Sequence, residues 1–157
     1  MSNDLFDPAA FLDAVMDQPL ERRDPLPVGD YTAVIGEIKA SRWNSEKPDA
    51  KVKSGIRFEI PLTIDIPPEV VEKLGYDSAT FTVKDSVMVD TTDSGAMDFS
   101  KGKNNQLRAY REALDMNKSG DVFIPRNMQG RVVLVKLKHE PYNGATLEKV
   151  AGVARQV

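Results

Sequence analysis

The only tryptophan of the chain stands at the edge of a lysine-rich stretch. Arg42 and Trp43 are followed by Lys47, Lys51 and Lys53, with Arg57 just beyond. An indole face can stack on a planar ring while ammonium and guanidinium groups neutralise phosphates, which is the chemistry that holds an unpaired polynucleotide. A second cluster, Lys136, Lys138, His139 and Tyr142, repeats the combination further along. Other chemistries are poorly supplied. With no cysteine, thiol catalysis, thiolate metal sites and disulfides are excluded. His139 is the one histidine, too few for a zinc enzyme or a histidine triad, and it reads as a surface or hairpin residue. No G-x-S-x-G nucleophile motif occurs. Asp90, Asp93 and Asp98 lack the spacing of a calcium loop. Gly95 and Gly102-Lys103 miss the spacing of a phosphate loop, and Asn104 stands where Ser or Thr would hold magnesium. The expectation is a non-enzymatic binding protein without metal or cofactor.

Charge is unevenly spread behind a formal net value of -3. Residues 1–30 carry seven acids against Arg22 and Arg23, whereas residues 31–157 carry 19 basic and 17 acidic groups. From Lys101 onward the count is 11 basic to 5 acidic. An acidic leader on a mildly basic body is the asymmetry that bears on partners. Hydrophobic content of 41% with 29% charged residues fits a soluble globular chain, and 157 residues can bury one core without staples. No apolar run approaches the ~18 residues of a membrane span. The acidic start does not resemble a signal peptide, so a cytoplasmic location is expected.

The elements that must position these residues follow from hydrophobic period. Residues 1–27 form an acidic extension with one short helix: Asp7 can cap it, Pro8 suits its first position, and Phe11, Leu12, Val15 and Met16 recur at helical spacing. Pro19, Pro25 and Pro27 then impose an extended linker. The body, 28–157, opens with a strand from Tyr31 to about Trp43, followed by a polar loop over 44–54. The second strand is the clearest signal. Ile56, Phe58, Ile60, Leu62, Ile64 and Ile66 alternate with Arg57, Glu59, Pro61, Thr63 and Asp65, so one face enters a core and Arg57 faces water. Pro61 lacks a ladder donor, which predicts an edge or a bulge. A short helix follows over 67–75, a third strand over about 80–90, and a helix from Asn104 or Asn105 to about Met116 with Leu107, Tyr110 and Leu114 on one stripe. Strands over 131–138 and about 146–154, joined through Tyr142-Asn143-Gly144, close the chain.

Five mainly antiparallel strands with a helix between the third and fourth is the plan of an OB-fold, a small partly open barrel. A β-sandwich with a helical insertion is the alternative. The body also resembles the small single-stranded-DNA-binding proteins of phage replication and recombination modules. Matching features are Pro27-Val28-Gly29-Asp30-Tyr31, Ser54-Gly55-Ile56, Asn105-Gln106-Leu107, Gly130-Arg131-Val132-Val133 and Glu140-Pro141-Tyr142-Asn143-Gly144, across roughly residues 27–155. Many such proteins carry an acidic C-terminal tail that recruits partners. Here the acidic, phenylalanine-bearing segment lies at the N-terminus instead.

The resemblance implies a bacteriophage-type protein in the bacterial host cytoplasm that coats single-stranded DNA with little sequence preference. Arg42, Trp43, Lys47, Lys51, Lys53, Arg57, Lys136, Lys138 and Tyr142 are its candidate DNA contacts; on the alternative reading Trp43 merely caps the core. The leader has three readings: a helix packed on the body, a segment presenting Leu5, Phe6, Phe11 and Leu12 to replication or recombination proteins, or a phosphate mimic over the basic groove. A homo-oligomer is compatible with all three. The other functional class is a structural or adaptor protein, such as a virion component, whose barrel binds protein.

Overall fold

The computed structural model describes residues 7–49, 51 and 54–156. Its elements are β1 (Gly29–Ile35), β2 (Lys39–Asn44), β3 (Ser54–Asp65), α1 (Pro68–Leu74), β4 (Thr80–Val89), α2 (Asn105–Ala113), β5 (Val132–Tyr142) and β6 (Ala145–Ala154). Short 3-10 helices span Pro8–Asp13 and Pro125–Met128. Among the described residues the six strands form one open, antiparallel sheet. Strand β3 is its axis. One edge pairs with β4 from Ile56 opposite Val89 to Asp65 opposite Thr80. The other edge is shared: β2 takes residues 54–59 and β1 takes residues 62–64. From β1 the ladder continues to β5 and then to β6.

The expected single first strand is therefore two, interrupted at residues 36–38, and Pro61 explains the break. Gly36 donates its N–H to the Pro61 carbonyl at 2.8 Å. A Cβ on Gly36 would lie 3.0 Å from the Pro61 ring, so this close approach suits glycine. The donor that proline lacks faces the same side as its carbonyl, into the gap where no ladder partner stands. Pro61 thus sits in a central strand rather than at an edge.

The alternation places Ile60, Leu62 and Ile64 in the core with Tyr31, Ala33 and Ile35 of β1, Val83 and Val87 of β4, and Val133, Val135 and Leu137 of β5. Burying each larger aliphatic side chain contributes about 1.5–3 kcal/mol. Ile56 and Phe58 are only half-buried, because β3 runs past the core toward β2.

Strands β4 and β6 form no ladder with each other, and α2 lies across the seam between them. Its buried stripe is Leu107, Tyr110, Ala113 and Leu114, while Arg108 and Glu112 pair outside at 3.7 Å. Tyr110 is 1% exposed and donates its hydroxyl to the Asp85 carboxylate at 2.6 Å. Asn104 precedes the helix as expected but does not cap it with its side chain. The helix stops earlier than Met116, where Asp115 turns into the left-handed region (φ 57) and Met116 N–H bonds back to the Arg111 carbonyl.

The leader keeps its predicted start: Asp7 accepts from the Ala9 N–H at 3.2 Å. It is a 3-10 helix with no buried residue, so it does not pack on the body. The linker is fixed only later. Arg23 pairs with Glu148 and lies over the rings of Phe81 (4.4 Å) and Tyr76 (5.1 Å). Leu26 is fully buried, and its carbonyl accepts from His139 Nε2 at 2.7 Å. His139 is thereby a structural pin for the linker.

Burial holds the Asp85 carboxyl above the ordinary carboxylate range, against the opposing Tyr110 hydrogen bond and Lys149 charge. The folded state therefore keeps this proton more tightly than the unfolded chain, and stability falls as pH rises from about 4 through the folded value. In urea unfolding at a series of pH values, Asp85→Asn should lose that decline while keeping an acceptor for Tyr110. Tyr110→Phe should lower stability at neutral pH by about 1–3 kcal/mol, because the carboxylate loses its donor. Equal pH dependence in wild type and Asp85→Asn would contradict this account.

Candidate nucleic-acid interface

Register assigns the faces. Trp43 stands opposite Gly55, Ser41 opposite Arg57, and Lys39 opposite Glu59. Arg57 and Glu59 in turn face Met88 and Ser86 of β4. These residues share the outer face of the sheet, since cross-strand partners point to one side. The indole edge lies directly over Gly55: a Cβ there would be 2.8 Å from Trp43 Nε1. Trp43 is half-buried, and its Nε1 is covered with no hydrogen-bond partner among the described residues. Glycine at position 55 is thus the seat of the ring. Beside it Arg57 and Lys39 are exposed and form no ion pair among the described residues, while Lys84 reaches Glu59 at 3.5 Å. The result is a half-open aromatic plate with unpaired cations, carried on paired strands.

The remaining predicted residues divide. Arg42 pairs with Ile56 and so projects from the opposite face of β2, away from Trp43. Lys47 and Lys51 are exposed in the loop after β2, and Lys53 lies outside the described residues. Lys136 faces Asp30 and Gly152, Lys138 faces Lys149, and Tyr142 is 62% exposed at the tip of the β5–β6 hairpin. Asn143 and Gly144 turn that hairpin with φ of 48 and 75, both in the left-handed region. This second cluster lies at the N-terminal end of β1, whereas Trp43 lies beyond its C-terminal end, so the two stand at opposite ends of the ladder. Of the leader residues, Phe11 and Leu12 are exposed, while Leu5 and Phe6 lie outside the described residues.

Residues 90–103, between β4 and α2, carry Phe99, Lys101 and Lys103 at the end of the sheet nearest Trp43, and none of these three was among the expected contacts. Their signal was the same one used elsewhere, an aromatic residue among cations. The loop is tied down by Asn104, which is nearly buried in the left-handed region (φ 54). Its side chain accepts from the Asp90 N–H at 2.8 Å and donates to the Asp90 and Asp98 carbonyls at 3.0 and 2.9 Å. Those bonds explain why Asn104 cannot also cap α2. The acids Asp90 and Asp98 are thereby engaged in loop geometry, and no acidic or histidine group suited to a metal ion occurs among the described residues. No described helix is long and apolar enough to cross a membrane.

No protein-family model matches the sequence, and no curated protein is significantly similar to it. The arrangement of side chains therefore carries the functional argument.

Gly55→Ala should unseat the indole. Trp43 emission should shift to the red, with a loss of about 1–3 kcal/mol if the strand must adjust to the added methyl. An unchanged spectrum and unfolding midpoint would show that the ring does not rest on Gly55.

Proposed function

We propose that the chain is a non-enzymatic single-stranded-DNA-binding protein on a partly open barrel of OB type, coating exposed strands during phage-type replication or recombination in a bacterial cytoplasm. The observation that carries this reading is Trp43 seated on Gly55 beside the unpaired Arg57 and Lys39 on the outer sheet face. Base stacking on the indole supplies affinity without sequence readout, since every base has a stackable face. The neighbouring cations track the phosphates and make binding depend on salt. Barrel geometry is supported by the connectivity. The β1–β2 segment is interrupted at residues 36–38: β1 pairs with both β5 and β3, β2 pairs with β3 alone, and α2 spans the seam between β4 and β6 that no ladder closes among the described residues. In this reading Lys136, Lys138 and Tyr142 receive the strand at the far end, and Lys47 and Lys51 guard the near one.

The test is titration of labelled oligo-dT at two salt concentrations while Trp43 emission is followed. Binding should quench the emission, with a log–log salt slope of roughly -0.7 per phosphate contact. Trp43→Ala should weaken binding about tenfold or more with an unchanged far-ultraviolet spectrum. Arg57→Ala should flatten the slope by about 0.7. Absence of binding at low salt would overturn the proposal and leave the protein-binding adaptor.

A further inference from the structure

A cleft of about 420 Å³ opens between residues 97–103, the start of α2 and residues 123–125. Its size falls within the ~300–1,000 Å³ of pockets that take small ligands. Met97, Leu107 and Phe123 form an apolar wall, and Phe99 stands at the mouth with 86% of its surface exposed. The segment that carries Phe99 is ordered by its own bonds. Thr91 bridges Met97, Ser100 donates its N–H to the Asp98 carboxylate at 2.9 Å, and the Lys103 N–H reaches the Ser100 carbonyl at 3.1 Å. An aromatic ring held in water by an ordered segment adds nothing to the core and gains burial only from an incoming partner.

The charges around the cleft nearly cancel. Lys101 and Lys103 are set against Asp98, whose carboxyl the Ser100 hydrogen bonds hold below the ordinary range. Arg108 pairs with Glu112 at 3.7 Å. Arg111 is spent on the Met116 and Asp121 carbonyls, at 2.7 and 2.9 Å, and lies over Phe123. The cleft therefore suits an uncharged ring better than a phosphate or an acidic peptide, and Phe11 and Leu12 of the leader stand exposed outside it. Position narrows the ring to one already near Trp43. Trp43 pairs with Gly55, next to the Ile56–Val89 pair, and Asp98 donates its N–H to the Asp90 carbonyl at 2.9 Å. Crossing those three interstrand spacings takes about 14 Å.

We propose that the cleft takes one base of the polynucleotide bound at Trp43, turned in against Phe99 and Phe123 while its phosphates stay on the sheet-face cations. This rests on the reading above and adds a second stacking station to it. Since the contact is to a base and not to a phosphate, it contributes affinity without adding to the salt dependence.

The full chain is titrated with labelled oligo-dT at two salt concentrations. Phe99→Ala should weaken binding about tenfold and leave the log–log salt slope unchanged, in contrast to Arg57→Ala. A Trp43→Phe, Phe99→Trp chain keeps a stacking ring at both positions. Its emission should be that of an exposed indole when free and should be quenched by oligo-dT. Binding indifferent to Phe99→Ala would overturn the inference and leave the Trp43 site standing. A slope that flattens with Phe99→Ala would assign the cleft to phosphate and overturn it too. So would free-chain emission of the Trp43→Phe, Phe99→Trp chain that moves on dilution, or on adding Phe11→Ser and Leu12→Ser, because a second copy or the leader would then fill the cleft. Absence of oligo-dT binding by the unaltered chain at low salt would overturn the reading itself, and this inference with it.

Discussion

The hydrogen bond from Tyr110 to Asp85 sets the position of everything on one side of the sheet. Strands β4 and β6 bring two edges near each other without pairing, and the seam is bridged by a helix rather than a ladder. A helix held by apolar contact alone could rotate by part of a turn at little loss, because hydrophobic burial is non-directional. A buried phenol aimed at a half-buried carboxylate removes that freedom: only one rotation of α2 satisfies it. Desolvation raises both the Tyr110 hydroxyl and the Asp85 carboxyl above their ordinary ranges, while the hydrogen bond between them works against the rise at Asp85. With α2 fixed, Arg108 and Leu107 are presented to the loop of residues 97–103, which Asn104 ties to the end of β4. The seam and the cleft are consequently one mechanical unit.

The other side depends on the break at residues 36–38. A continuous first strand would have kept pairing with β3 in one plane. Instead the ladder breaks at Pro61, which accepts from Gly36 but has no N–H to donate in return, and β2 resumes past the end of the core. There Ile56 and Phe58 are only partly covered below while Trp43 and Arg57 lie on the face above. β3 is paired along both edges in this region, so the aromatic plate rests on a ladder and is held more rigidly than a loop-borne ring. The exposed edge of β2 and the loop after it then surround a fixed centre.

Much of this was readable from residue types because period-2 alternation is a strong constraint. Ile60, Leu62 and Ile64 had to share a face, and Arg57 had to oppose them. The helix stripe through Leu107 and Tyr110 followed from the 3.6-residue period in the same way. What escaped were consequences of contacts between distant segments. The break in the first strand needs Pro61 to face Gly36. The position of Arg42 depends on which partner it meets in β3, and register flips a face with each residue. Asn104 reads as a helix cap from its place in the chain, but carbonyls of Asp90 and Asp98 compete for its amide and win. Phe99 with Lys101 and Lys103 was visible as a pattern and acquired meaning only when the sheet set it near Trp43.

The net charge of -3 counts less than its placement. At physiological salt a charge is screened within about 8 Å, so exposed acids more than this distance away have little effect on the Trp43 face. The described leader acids from Asp7 to Asp17 lie on a segment that touches no buried part of the body, and Arg23 already offsets Glu148 where the linker attaches. On the outer face of β2, β3 and β4, Lys39, Arg57 and Lys84 stand against Glu59 and Asp65, and Lys84 pairs with Glu59. The field at that face is therefore set by the local balance, and the whole-chain charge does not by itself favour the adaptor reading.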